Sequence, residues 1–371
     1  MTGGEAMKVC LIARYFNLKN GGIGRYSLEI LKGLKQKGVH VVPISEDNMP
    51  LPVVDIPSLV FVRYVLYYTF YVPISTPKNC SIYHITHLPE STNINFKNKN
   101  IIITVHDLIP MYFKKSNNVH EVLSRLFIQK TFIKTLKKIE NAGNNVKIIS
   151  VSHQTRDEIL SLVNIDPERI TVIPNGIPDY LSPCKKSNPI PRVGTLSYLG
   201  PRKRIDLLIK AYKESSHKGE LWIGGTTQNK SYKNYLTSLV GEDSRVKFLG
   251  FIPESSILNF FTNIDVFVFP SKIEGYGLPI VEALACGKPV ITLEDARIPI
   301  EVKEHTYVIS KEDLPAVLED PPQKIRKRDI KWAQEHKWSK VVDKVMGVYK
   351  QTMEESRLIP APKGEVFKRR R

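Results

Sequence analysis

The sequence predicts an α/β fold of two successive parallel-sheet domains. Short apolar or β-branched runs alternate with amphipathic stretches, these runs lack the period-two alternation of a half-exposed sheet, and the pattern restarts after a proline-rich break. Uniformly apolar runs imply strands buried on both faces, hence parallel sheets covered by helices. A length of 371 residues suits about two domains. In the first half, 8–12, 39–44, 101–105, 147–151 and 170–173 read as strands, and 24–37 as a helix with Leu28, Leu31 and Leu34 on one face. The stretch 175–192, NGIPDYLSPCKKSNPIPR, has the composition of an interdomain linker. Beyond it, strands are expected at 193–199, 221–223, 246–249, 266–269 and 290–293, with helices at 205–214, 232–239, 254–261 and 279–286. The stretch 330–357 is helical in pattern, and the tail APKGEVFKRRR is basic. The expected division is 1–185, 186–335, and a 336–371 segment whose helix returns toward the N-terminal domain. Sheets of this kind bind ligands beyond the carboxyl ends of their strands, so two facing domains create a cleft.

Composition narrows the function. Lys+Arg number 54 against 37 Asp+Glu, a net charge of +17, which favours an anionic partner: nucleic acid, lipid headgroup or phosphorylated substrate. Cys10, Cys80, Cys184 and Cys286 are scattered without a CxxC pair, which argues against a zinc site or disulfide framework and for buried thiols in a reducing compartment. The N-terminus MTGGEAMKVCLIARYF lacks the pattern of a signal peptide, and no window reaches the ~20 apolar residues of a spanning helix. A cytoplasmic location is expected.

The segment FPSKIEGYGLPIVEALACGKPVI carries the strongest chemical signal. A strand ends at Pro270. A loop with Glu274, Gly275, Tyr276 and Gly277 leads into a helix that opens with Pro279 and closes near Gly287. Glycine-flanked N–H groups at a helix start present a positive dipole end suited to a phosphate. Glu282 in the first turn is dipole-favoured and can accept hydrogen bonds from sugar hydroxyls. Gly22-Ile23-Gly24-Arg25-Tyr26-Ser27 comes near a dinucleotide fingerprint, with Glu46 at a ribose-like distance, but Ser27 replaces the third glycine and a dehydrogenase is a poor reading.

Glu274-x7-Glu282 resembles the signature of family 4 glycosyltransferases, retaining enzymes of GT-B fold in which two Rossmann-like domains face each other across a cleft. Further segments resemble the family in order: Asn20–Tyr26 around Gly21 and Gly22, Thr104-Val105-His106-Asp107, Ser150-Val151-Ser152 with Arg156 and Glu158, Ile173–Ile177, Val246–Phe251 around Phe248, and Asp265–Ser271. The resemblance implies a hexose moved from a UDP- or GDP-sugar to a hydroxyl of a glycan or lipid-linked acceptor. It implies donor contacts at Gly21, Gly22, Phe248, Gly275, Tyr276, Gly277, Leu278 and Glu282. His106, Asp107, Glu274, Arg202 and Lys203 are the catalytic candidates. Lys203 stands where the family has its lysine, but the family's arginine position falls on Tyr198; either Arg202 supplies the missing charge or the loop is shorter. No D-x-D pair is present in the cleft segments, so neither a metal nor any other cofactor is expected. The alternatives are a sugar-nucleotide epimerase of the same fold and a basic nucleic-acid-binding protein. The latter explains the charge but not EGYGLPIVE.

Partners are suggested by two further stretches. Between 117 and 147, Arg125, Lys130, Lys134, Lys137, Lys138 and Lys147 interleave with Leu126, Phe127, Phe132, Ile133, Leu136 and Ile139. Such a basic amphipathic helix either faces a core with its cations solvated or docks on an anionic membrane surface, peripherally at the inner face. The aromatic run 61–71 reads as a buried helix or part of an apolar acceptor groove suited to a polyprenyl phosphate.

Overall fold

Among the described residues twelve short strands assemble into two parallel sheets of six, and the inner strands form where the sequence is apolar enough to bury both faces. The computed structural model describes residues 7–18, 21–51, 57–112, 119–185 and 189–358. The first sheet runs β1 (Lys8–Ile12), β2 (His40–Ile44), β3 (Ile82–Ile85), β4 (Ile101–Val105), β5 (Val146–Ser150) and β6 (Ile170–Val172), in spatial order β2-β1-β3-β4-β5-β6. The second holds β7 (Arg192–Leu196), β8 (Glu220–Gly224), β9 (Val246–Gly250), β10 (Val266–Phe269), β11 (Val290–Leu293) and β12 (Tyr307–Ile309), in order β12-β11-β10-β7-β8-β9. β1, β4 and β5, central or near-central, are almost wholly buried, as uniformly apolar parallel strands should be.

Sequence reasoning missed β3 and β12. β3 is four residues long and contains His84, a polar residue that is fully buried because its ring bonds to Tyr349 Oη (2.6 Å) and Thr104 Oγ1 (2.8 Å). β12 is three residues at a sheet edge and largely exposed. The expected C-terminal helix is two helices, Lys327–Gln334 and Trp338–Leu358, with the turn between them pinned to the linker: Ile177 N–H donates to His336 O, and Trp338 N–H donates to Ile177 O.

The helix Trp338–Leu358 packs on the first sheet. Trp338, Val341, Val342, Val345 and Tyr349 share a core with Val9, Leu11, Tyr26 and Ile30. Two glycines permit the fit: a Cβ on Gly33 would lie 2.4 Å from Val342 Cγ2, and one on Gly176 would lie 2.4 Å from the Trp338 ring. The four cysteines are free; Cys10 and Cys286 are buried, Cys80 and Cys184 only partly. The tail beyond 358 lies outside the described residues.

The aromatic run forms a helix Pro57–Leu66 continued by a π-helical segment Tyr67–Tyr71 and a last turn Val72–Ser75. It is only partly the buried helix expected. Tyr67 and Tyr68 are buried, whereas Phe70 is 58% and Ile74 81% exposed. The helix Val119–Glu140 divides similarly: Phe132, Leu136 and Ile139 face the core while Leu126, Lys130, Lys134 and Lys137 face solvent. Two cations expected on its basic face are structural instead. Lys138 Nζ donates to Ser91 O, Thr92 O and Ile94 O, and Lys147, on β5, pairs with Glu355 at 2.7 Å. The side chain of Arg125 lies outside the described residues.

Candidate active site at the facing sheet edges

The loop leaving β10 is shaped by two glycines. Gly277 caps the helix Leu278–Ala285 at φ +102°, a left-handed conformation that a side chain would strain. Gly275 lies against the exit of β4: a Cβ there would meet His106 O at 2.1 Å and Asp107 Cβ at 2.8 Å. The carboxyl ends of the two sheets therefore touch backbone to backbone. Gly21 opens the helix Gly21–Gln36 at φ +73°, and a Cβ on the next residue, Gly22, would lie 3.9 Å from Leu278 Cδ1. Gly21, Gly22, Gly275, Gly277, Leu278, His106 and Asp107 are thus brought to one place.

At its centre is Glu274, 8% exposed. One oxygen, Oε1, accepts from Lys203 Nζ at 2.5 Å, from Arg202 at 3.0 Å and from the Ser271 hydroxyl. Burial alone would raise this carboxyl, but Lys203 and Arg202 outweigh it and hold it below its ordinary range. Burial in turn lowers Lys203, against the pull of Glu274. Lys203 also lies over the Phe269 ring, 5.1 Å from its centroid. Arg202 stands in this cluster, while Tyr198 is 56% exposed and its hydroxyl reaches Thr227. Arg204, the third cation of the run, is a clamp: it donates to Pro270 O and pairs with Asp295 at 2.7 Å.

From the first sheet, His106 Nε2 lies 2.9 Å from Thr86 O. A carbonyl can only accept, so this nitrogen carries the proton and Nδ1 is left as an acceptor. Burial pushes His106 down to about 3, so the ring is neutral at physiological pH. Asp107 Oδ1 accepts from Ile109 N–H at 2.9 Å; burial raises this carboxyl, with Arg202 opposing and Glu274 adding to the rise.

Glu282, 2% exposed, does not face open solvent. Arg25 from the first domain's helix reaches it at 2.5 Å and pairs also with Glu254 at 2.8 Å. Burial raises the Glu282 carboxyl and Arg25 opposes that rise. Tyr276 is packed in the core of the second domain, its hydroxyl without a partner among the described residues. Phe248 sits on the edge strand β9, 40% exposed, and takes no part in the cluster's contacts.

Several residues escaped the sequence reading. Ser271 closes the Glu274 cluster, and Gln154 donates to Glu274 O at 3.3 Å. Glu158, noted for its motif, bridges to Arg297 of the other domain at 2.7 Å. His87, whose Nδ1 lies 2.9 Å from Glu90 Oε2, follows β3 directly and lies near enough to Asp107 to lower its carboxyl. Recognising β3 would have placed them at the same carboxyl edge.

Among known proteins, residues 20–179 match the model described as Glycosyltransferase Family 4 and residues 185–324 the model of Glycosyl transferases group 1. The chain is 30% identical over 206 residues to the O-antigen chain mannosyltransferase RfbU of Salmonella typhimurium, covering 53% of this chain and 57% of that protein. It spans about half the length of the curated relatives it matches. In fold it is similar to sucrose-phosphate synthase from Thermosynechococcus elongatus, with a TM-score of 0.75 at 19% identity over 94% of this chain and 100% of the other. It is also similar to Anabaena HepE in complex with UDP and glucose, with a TM-score of 0.66 at 18% identity over 93% and 100%. With two consecutive family models on a GT-B fold of two parallel six-stranded sheets, the chain belongs to the family 4 glycosyltransferases.

Proposed function

We propose that this glycosyltransferase moves a hexose, with retention of anomeric configuration, from a nucleotide diphosphate sugar to a hydroxyl of a glycan or polyprenyl-linked acceptor. The observation that carries the reading is the convergence of Lys203 and Arg202 on Glu274 beside the start of the helix Leu278–Ala285, facing His106 and Asp107. Breaking the bond from the anomeric carbon to the leaving diphosphate develops negative charge. On this reading Lys203, Arg202 and the N–H groups of Gly275–Leu278 stabilise it, as an oxyanion site does. Glu274 keeps both cations in place while the donor is absent and orients the sugar when it is bound. Glu282 accepts from the ribose hydroxyls. Neutral His106 offers Nδ1 to a donor-sugar hydroxyl. The acceptor proton passes to a donor phosphate oxygen on the same face, so no carboxylate nucleophile is needed and Lys203 and Arg202 take the role a metal would otherwise fill.

The mannosyltransferase relative makes mannose the first sugar to test. The experiment is a panel of UDP- and GDP-hexoses incubated with the protein, with release of nucleoside diphosphate and the anomer formed followed by NMR. One donor should be consumed with its anomeric configuration kept. Inverted product, conversion of the nucleotide sugar without nucleotide release, or no consumption of any donor would overturn the reading.

A further inference from the structure

We infer that the helix pair Pro57–Ser75 and Val119–Glu140 forms a face that docks on an anionic phospholipid bilayer. This goes beyond the transfer reaction, since binding to a membrane requires neither donor nor acceptor. Phe70 (58% exposed) and Ile74 (81%) stand one helical turn apart on the first helix. On the second, Leu126 (43% exposed) begins a solvent-facing row that continues through Lys130, Lys134 and Lys137 at helical spacing. The two helices adjoin, because the Tyr68 ring lies 6.4 Å from that of Phe127.

The charge of this face is one-sided. Across 126–140 the only acid is Glu140, and its Oε1 is turned to the N–H of Asn164. Among the described residues these lysines are not spent on internal pairs in the way Lys138 and Lys147 are; Lys130, Lys134 and Lys137 line a shallow groove on the surface with Ile133. Large exposed aliphatic and aromatic groups beside unopposed cations match the layered chemistry of a membrane interface. The apolar side chains enter the acyl boundary and the ammonium groups meet anionic headgroups. A soluble acidic partner would answer the lysines but leave Phe70 and Ile74 in water. Among the described residues no helix is long and apolar enough to cross a membrane, so this attachment lies on the surface.

Flotation of the full chain with phosphatidylcholine vesicles, with and without phosphatidylglycerol, tests the inference. Binding should require phosphatidylglycerol and weaken with salt. The triple change Lys130→Ser, Lys134→Ser and Lys137→Ser should lower partitioning about 100-fold, three lysines' worth of attraction to an anionic surface. Phe70→Ser with Ile74→Ser should lower the binding that remains at high salt. All these positions are exposed, so melting curves and donor hydrolysis should stay as in the wild type. A face for another partner, or none, would show as absence of flotation at low salt, equal binding to neutral vesicles, variants that float as well as the wild type, or lysine-dependent binding to RNA alone; each of these contradicts the inference. Failure of donor hydrolysis would count against the enzymatic reading and leave the vesicle result standing.

Discussion

Glu274 Oε1 is shared by three donors, and this crowding decides what each partner does. Removal of Lys203 leaves Arg202 and Ser271 to hold the carboxylate, so the fold should survive while a charge stabiliser is lost. Lys203→Ala is expected to lower turnover by about two orders of magnitude, the scale of one lost oxyanion donor. Arg202→Ala should cost a comparable factor, since both cations reach the same oxygen. Wild-type rates in both would refute their role. Arg25 plays a different part. It spans the cleft to Glu282, and without it burial would favour the protonated acid. Arg25→Ala and Glu282→Ala are therefore both expected to weaken nucleotide binding measured by calorimetry, and unchanged affinity in either would refute the assignment of Glu282 to the ribose. Two buried histidines set a pH dependence. Burial pushes His84 and His106 each down to about 3. The unfolded chain takes up their protons below about 6.5 while the folded chain does not, so stability falls as pH falls through that window. The slope should reach at most about 1.4 kcal/mol per pH unit for each histidine. Urea midpoints should drop between pH 7 and pH 5, and a flat profile would contradict the buried neutral state.

At the scale of elements, the loop between β10 and the helix Leu278–Ala285 depends on a residue without a side chain. Gly275→Ala would set a methyl 2.1 Å from His106 O, and a backbone carbonyl in a parallel strand exit has little room to yield. Donor hydrolysis should collapse and the melting temperature fall. Gly347→Ala, whose added methyl meets nothing within 4 Å in a helix of ordinary backbone, should be neutral or stabilising by up to about 1 kcal/mol. Equal behaviour of the two would show that the close approach of the sheets is not required. The contrast between legible and illegible elements follows the same physics. Strands such as β4, IIITV, announce themselves because both faces are buried. The loop into Leu278–Ala285 was legible because glycine and proline mark its turns. β3 was not, because His84 is buried only through partners 20 and 265 residues away. Missing β3 also hid the His87–Glu90 pair at its end. Likewise Arg25 pairs with a carboxylate 257 residues distant, and no local pattern encodes such a contact. The exposed side of the aromatic helix was left undecided for a related reason: an apolar residue carries no mark of the neighbour it lacks.

For the whole molecule, the joining of two sheets rests on the linker, on a returning helix and on ions that cross between domains. Trp338 anchors the return, fitted over Gly176 and buried with Val9 and Tyr26. Trp338→Ala should cost about 3–5 kcal/mol, read as a lower urea midpoint, because a large cavity opens where no nearby side chain can fill it. Arg25–Glu282 and Arg297–Glu158 cross the cleft near the candidate site, so the side chains of the site and the relative placement of the sheets are tied together. The proposal that protein cations carry the diphosphate charge also has a consequence for the intact enzyme. Transfer should continue in the presence of a chelator, and abolition by EDTA with rescue by manganese or magnesium would overturn it. The most direct measurement is calorimetric titration of UDP and GDP beside UMP and GMP, on wild-type protein and on Lys203→Ala. The wild type should prefer one diphosphate clearly over its own monophosphate, and Lys203→Ala should lose that preference while still binding the monophosphate. Equal affinity for diphosphate and monophosphate in the wild type, or a preference untouched by Lys203→Ala, would contradict the placement of the diphosphate at Lys203 and Arg202.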